Sequence, residues 1–180
     1  VLAPVMRCEL DADLSPDVIL TDASCSHGAV VTASVDDREA AYLWARSQRR
    51  GVHVRLTGAW DEDDVIPDDE LTNNLVGAIQ WKPVVSYQFR ERSHINLQEM
   101  CAFRTAVKRC AQRGHGRSAR RLLGLDSAVC IGAFAKGRSS SRSLNRILQS
   151  MLPWILSGRL YPFVFHVGTD WNVADDPTRG

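Results

Sequence analysis

The sequence predicts an α/β fold in which a mixed β-sheet carries helices packed against it. Three observations predict this. Two β-rich runs near the start are separated only by a short Ser/Cys/His turn, the pattern of an antiparallel hairpin. From residue 96 onward helical and strand patterns alternate, which points to strands separated by crossover helices. Finally, 180 residues with 44% hydrophobic and 24% charged content can bury one core without disulfide or metal staples, so residues 1–180 are read as a single domain.

Each element has its own signal. Asp17 to Ser24 reads as a strand with Val18, Leu20 and Asp22 on one face and Ile19 and Thr21 on the other, so Asp22 ends a buried row. Ala29 to Ser34 is its antiparallel partner. Asp36 or Asp37 can cap a helix running to Arg50 and closed by Gly51, with Ala40, Leu43, Trp44 and Ser47 at helical spacing. The acidic stretch after Trp60, interrupted by Pro67, reads as an exposed loop. Residues 36–82 together look like an insertion of a helix plus an acidic loop. Val84 to Phe89 is a third strand. Asn96 and Glu99 form a variant capping box for a helix carrying Leu97, Met100, Cys101, Val107 and Ala111 on one side, ended by Gly114 and Gly116. Arg121 to Asp126 is a fourth strand and Ser127 to Ala135 a small helix or turn. Ser139-Ser140-Ser141 caps an amphipathic helix with Leu144, Ile147, Leu148, Met151 and Ile155, kinked or terminated near Pro153. Tyr161 to Val167 is a fifth strand, and Ala174-Asp175-Asp176-Pro177 starts a terminal helix.

Composition excludes several classes. The apolar runs are too short to cross a bilayer and no basic-then-apolar leader is present, so the expected setting is intracellular, cytoplasmic or nuclear, without a membrane partner. Five cysteines (Cys8, Cys25, Cys101, Cys110, Cys130) at wide spacings, without C-x-x-C, predict reduced and mostly buried thiols rather than a disulfide framework or zinc ribbon. The start at Val1 reads as a piece excised from a longer polyprotein. A net charge of +1 hides segregation. Asp61, Glu62, Asp63, Asp64, Asp68, Asp69 and Glu70 form one block. Between Cys101 and Arg159 twelve bases stand against Asp126 alone. Such a stretch suits a polyanion, because phosphate contacts release condensed counterions.

Four carboxylates stand where this order lets them converge. Asp22 ends the first strand, Glu99 lies in the first turn of a helix, Asp126 closes the fourth strand and Asp175 opens the last helix. If the first and fourth strands are adjacent and parallel, Asp22 and Asp126 share their carboxyl edge, where parallel sheets open a ligand crevice. Clustered carboxylates repel one another unless cations fill the gap, and hard oxygen donors without a His/Cys set suit Mg2+ or Mn2+. Each acid also has a local structural use: an Asx turn for Asp22, the capping box for Glu99, a turn cap for Asp126 and a helix-dipole partner for Asp175. Lys136-Gly137-Arg138-Ser139-Ser140-Ser141-Arg142 reads either as a phosphate seat, with glycine allowing close backbone approach before a helix N-terminus, or as a soluble loop with a serine cap. Trp171 reads as a packing residue, and His27 and His94 as ordinary polar residues. No Ser/His/Asp arrangement accompanies Ser24.

Four blocks, in order, carry a resemblance: Thr21-Asp22-Ala23-Ser24, His94-Ile95-Asn96-Leu97-Gln98-Glu99-Met100-Cys101-Ala102, Leu125-Asp126-Ser127, and Asn172-Val173-Ala174-Asp175-Asp176-Pro177-Thr178-Arg179. They resemble the ribonuclease H domains of retroelement polyproteins, most closely those of tyrosine-recombinase-type retrotransposons, in which the domain follows a reverse transcriptase. The resemblance spans Asp17 to Gly180 apart from residues 36–82. It implies a ribonuclease H-like, five-stranded mixed sheet with flanking helices and a two-metal endonuclease that hydrolyses the RNA strand of RNA–DNA hybrids. It further implies that Asp22, Glu99, Asp126 and Asp175 hold two Mg2+ or Mn2+ ions, with Asp22 bridging both, Glu99 and Asp126 completing one and Asp175 the other. A reverse transcriptase domain of the same polyprotein would be the upstream partner. Reading the RNA strand needs small polar groups for its 2′-hydroxyls, for which Ser24, Asn96 and Ser127 qualify, while Lys136, Arg138, Ser139, Ser140 and Arg142 would receive phosphates. Cellular members carry a histidine-containing loop before the last acid. Here Gly168-Thr169-Asp170-Trp171 lacks one, and His166 belongs to the preceding strand. Two other readings share these features: an inactive module that binds nucleic acid or braces a polymerase, and a DNA strand-transfer or exonuclease domain.

Overall fold

The computed structural model describes residues 9–49, 66, 68–113 and 118–178. Expectations placed on Cys8, Gly51, Asp61 to Asp64, Pro67, Gly114, Gly116, Arg117 and Arg179 lie outside these residues. Five strands, β1 (Asp13–Ala23), β2 (His27–Ser34), β3 (Lys82–Gln88), β4 (Ala119–Leu125) and β5 (Leu160–His166), form one sheet in the order β3-β2-β1-β4-β5. The first three pair antiparallel, while β1 with β4 and β4 with β5 pair parallel. This is an α/β fold with a five-stranded mixed sheet and flanking helices, consistent with the ribonuclease H-like architecture implied by the sequence.

Alternation along the strands divides the core. Ile19, Val30, Leu123, Leu125 and Val164 face one side, covered by α3 (Ile95–Arg113), α4 (Ala128–Lys136) and α5 (Arg142–Ser157). Val18, Leu20, Val31, Leu122 and Phe165 face the other, covered by α1 (Asp37–Ala45) and α2 (Glu70–Ala78). Thus the described parts of residues 36–82 close the second face of the sheet, Leu43 and Val76 being fully buried there.

Several boundaries differ from expectation, each for a local reason. Asp36 caps α1 in a full capping box with Glu39, but the helix ends at Ala45 rather than near Arg50. There the Ser47 hydroxyl donates to the Trp44 carbonyl, and the Gln48 amide leaves to donate to Val164 of β5. The end of the acidic stretch is helical, not loop. Asp69 precedes α2, accepts from Thr72 and Tyr42, and meets Arg46, while Thr72 and Asn73 are buried. Instead of the terminal helix expected from Ala174, only a 3-10 turn over Asp176–Thr178 is present among the described residues. Pro153 lies inside α5, which continues to Ser157.

Gly124 sets the closeness of β1, β4 and β5. A Cβ at this position would lie 2.4 Å from Leu20 Cδ2 and 2.7 Å from Phe165 Cζ, so the strand needs a residue without a side chain. Gly124→Val is expected to destabilise the chain by about 3 kcal/mol through overpacking, measured as a lowered urea midpoint. An unchanged midpoint would mean that this face of the sheet is loosely packed.

Candidate active site

The parallel pairing of β1 with β4 builds the floor of the site. Leu20 is paired with Gly124, and two residues further along each strand stand Asp22 and Asp126 at the carboxyl edge. Asp22 is only 7% exposed. Burial pushes its carboxyl up to about 6, with repulsion from Asp126 and then Asp175 adding to the shift and a hydrogen bond from Thr178 opposing it. Burial likewise raises Asp126, with Asp175 adding repulsion, while hydrogen bonding to its own backbone and to Asn172, and the nearby His166, favour its charged form.

Glu99 reaches the same place from α3. The expected capping box is not formed: α3 begins at Ile95, and His94 occupies the capping position. The His94 carbonyl accepts from Leu97 at 2.9 Å, and its Nδ1 accepts the Asn96 amide at 3.3 Å. Asn96 is therefore inside the helix, and Glu99 is left free of the cap. Burial lifts Glu99 to about 7, with a hydrogen bond from Ser127 opposing the shift and repulsion from Asp126 and Asp22 adding to it. The Ser127 hydroxyl also accepts the Cys130 amide as the N-cap of α4, and the Cys130 thiol lies 3.7 Å from Glu99 Oε2. Gln98, buried beside Glu99, donates from Nε2 to the Cys25 carbonyl at 2.8 Å and so ties the start of α3 to the β1–β2 turn.

The segment after β5 closes the cluster. The Thr178 hydroxyl lies 3.0 Å from Asp22 Oδ2, 2.8 Å from the Asp175 carbonyl and 3.5 Å from Asp175 Oδ1. Its single proton serves one of these acceptors at a time. Asn172, also buried, donates from Nδ2 to the Thr21 carbonyl at 3.2 Å and hydrogen-bonds Asp126, while its own oxygen accepts the Ala174 amide. Ser86 of the edge strand β3 donates to the Pro177 carbonyl, fixing the outer side of the same segment.

All four sequence-predicted acids are thus brought together. Thr178, Asn172, Gln98 and Cys130, which the sequence reading did not single out, hold them in place. The first three lie inside the blocks that carried the resemblance, which was the available signal. His166 adds a group that strand periodicity alone could not position. It pairs in register with Leu125, hydrogen-bonds the Asp126 backbone and stands 3.4 Å from Asp68 Oδ1. Burial lowers its pKa, and the Asp68 carboxylate opposes that shift.

The other predicted contacts divide into two groups. Ser24 accepts the amides of Ser26 and His27 within the β1–β2 turn, so its hydroxyl is engaged there. Ser139 and Ser141 act as local caps: Ser139 accepts the Ser141 amide and Ser141 caps α5. The amide of Ser139 donates to Asn145, and those of Gly137 and Arg138 donate to Phe134 and Ala133. Lys136, Arg138, Ser140 and Arg142 are exposed around this connection, and Gly137 adopts the left-handed conformation that ends α4. Trp171 is 42% exposed and lies over Gly77 of α2. Of the described cysteines, all are free thiols, with Cys110 and Cys130 buried.

Asp22, Glu99 and Asp126, carboxylates raised by burial and by repulsion from neighbouring acids, are hard-oxygen donors short of positive charge, the chemistry that suits divalent cations. Among the described residues, however, no group of three or more His, Cys, Asp or Glu side chains is placed so that it could hold a metal ion. No helix among them is long and apolar enough to cross a membrane. No family model and no curated protein matches this chain.

Proposed function

We propose that this chain is a metal-dependent endonuclease that hydrolyses the RNA strand of RNA–DNA hybrids during reverse transcription of a retroelement. One observation carries the reading. Repulsion from Asp126 at the end of β4 reaches both Asp22 of β1 and Glu99 of α3, Asp22 also repels Glu99, and Asp175 of the segment after β5 repels Asp22 and Asp126. So costly an arrangement is the expected result of a site made for cations rather than for stability.

The four acids would hold two Mg2+ or Mn2+ ions. When bound, such ions activate a water and stabilise charge at the scissile phosphate, giving 5′-phosphate and 3′-hydroxyl products. The chain's own groups do the positioning. Ser127 orients Glu99, Asn172 orients Asp126, and Thr178 holds Asp22 against Asp175. Ser127, which hydrogen-bonds Glu99, and Asn96, in the first turn of α3, are small polar groups suited to an RNA strand's 2′-hydroxyls. Lys136, Arg138 and Arg142 extend the binding face toward phosphates. A reverse transcriptase domain of the same polyprotein would supply further grip, in the cytoplasm or nucleus.

The decisive assay offers an end-labelled RNA–DNA hybrid and the matching DNA duplex with Mg2+ or Mn2+. Internal cuts in the RNA strand of the hybrid, and none in the duplex, are expected. Equal cutting of duplex DNA would favour strand-transfer or exonuclease work. Binding of hybrid with no cutting under any divalent ion would favour an inactive clamp.

A further inference from the structure

We propose that the groove between α3 and α5 is a second nucleic-acid site, which holds a single strand by its phosphates. It goes beyond the hybrid-cleavage reading and does not require it. The groove encloses about 460 Å³, with Arg104, Lys108, Arg109 and Gln112 from α3 and Ser150 and Trp154 from α5 on its walls.

Its charge is one-sided. From Met100 to the end of α3, and throughout α5, there is no Asp or Glu, while Arg104, Lys108, Arg109, Arg113, Arg142 and Arg146 are all present. Among the described residues no carboxylate stands at ion-pair distance from Arg104, Lys108 or Arg109. Three guanidinium or ammonium groups around one cleft, unneutralised by the protein, need an anion from elsewhere.

Shape and position select the kind of anion. At 3.6 residues per turn, Arg104, Lys108 and Gln112 fall roughly 140° to 220° around α3 from Glu99, so the groove lies on the opposite side of the helix from the carboxylates. A straight hybrid seated on the acids therefore does not run through it. The cleft holds about 460 Å³, far less than a duplex would need in order to enter it, so it is matched to part of a single strand. Residues four apart on a helix repeat about every 6 Å, which lines the cations along the groove rather than concentrating them at one point. The Lys108 ammonium sits 5.2 Å from the centroid of the Trp154 ring, which packs against the core beneath. A cationic groove with an aromatic floor is the combination by which single strands are held without sequence preference, through phosphates and base stacking.

The test uses fluorescein-labelled oligo-dT and oligo-rU of twelve nucleotides and a labelled poly-Glu peptide, with anisotropy read across a salt series. The protein carries Asp126→Asn so that nothing is cut. The groove variant adds Lys108→Glu and Arg109→Glu, and a milder variant carries Gln at both positions in case charge reversal impairs folding. Both oligonucleotides should bind, with Kd at least about tenfold weaker in the Glu variant and the log–log salt slope reduced by about 1.4 for two lost phosphate contacts. Preference for one oligonucleotide would tell whether the strand is DNA or RNA. Unchanged affinity and slope in both variants would overturn the proposal, as would binding of poly-Glu with neither oligonucleotide. Because the readout is binding, a chain that never cleaves hybrid can still pass or fail it.

Discussion

Replacing Asp126 with asparagine is expected to abolish hybrid cleavage while making the folded chain more stable at pH 8. The cleavage rate should fall by at least about a thousandfold, roughly 4 kcal/mol of transition-state stabilisation. The stability change follows from the same residue. Asp126 is raised by burial and contributes repulsion to both Asp22 and Glu99, so a neutral amide of the same shape removes a buried charge and lowers the pKa of its two neighbours. A gain of about 1 kcal/mol, some 2–4 °C in Tm, is the expected size. Loss of activity with a large loss of stability would instead make Asp126 a structural cap. Retained cleavage would remove it from the site altogether.

The second large effect is a pH dependence that divalent ions reverse. Asp22 titrates near 6 and Glu99 near 7 in the folded chain, against 3.8 and 4.5 when unfolded. Between those limits the folded state binds more protons than the unfolded one, so stability falls as pH rises through about 4 to 7. The cluster should cost on the order of 3 kcal/mol between pH 5 and pH 8. His166 acts in the opposite sense. Its lowered pKa means that the folded state resists protonation, so its contribution falls as pH drops below its unfolded value of 6.5. Thermal unfolding in EDTA should therefore show lower stability at pH 8 than at pH 5, the carboxylates outweighing the one histidine. Adding Mn2+ should restore about 2.7 kcal/mol at pH 8 once the ion is a hundredfold above its Kd. At pH 5, where protons already neutralise the acids, the ion should do little. A Tm at pH 8 indifferent to Mn2+ and Mg2+ would show that the carboxylates hold no cation.

The two expectations rest on features of unequal visibility in the sequence. The five strands were legible because β-rich runs stand between turn signals, and Asp22 stood beside Asp126 on the condition, now met, that β1 and β4 pair in parallel. The start of α3 was misread by two residues. Asn96 has the better cap chemistry, but His94 supplies both a carbonyl and a ring nitrogen two residues earlier, and that choice frees Glu99. Helix α2 was invisible for a different reason. Thr72, Asn73 and Asn74 are poor helix formers, the acidic run precedes them, and Leu71 points to solvent, so the helix is stabilised by burying Val76 and by the Asn73 contact with Gly168. Polar ties such as Gln98 to Cys25 and Asn172 to Thr21 join positions far apart in the chain. No local pattern announces them; the sequence shows only that the residues can donate.

The Thr178 tie to Asp22 spans 156 residues, and it has a consequence for how the protein comes into being. As the chain leaves the ribosome, β1 emerges early but waits for β4 before its central place in the sheet exists, and the last carboxylate arrives only after β5. Such long-range closure makes folding slow compared with a helical bundle of equal size. It also makes the carboxylate cluster the last feature of the fold to be completed: a chain that ends before β5 carries Asp22, Glu99 and Asp126 but lacks Asp175 and the Thr178 tie.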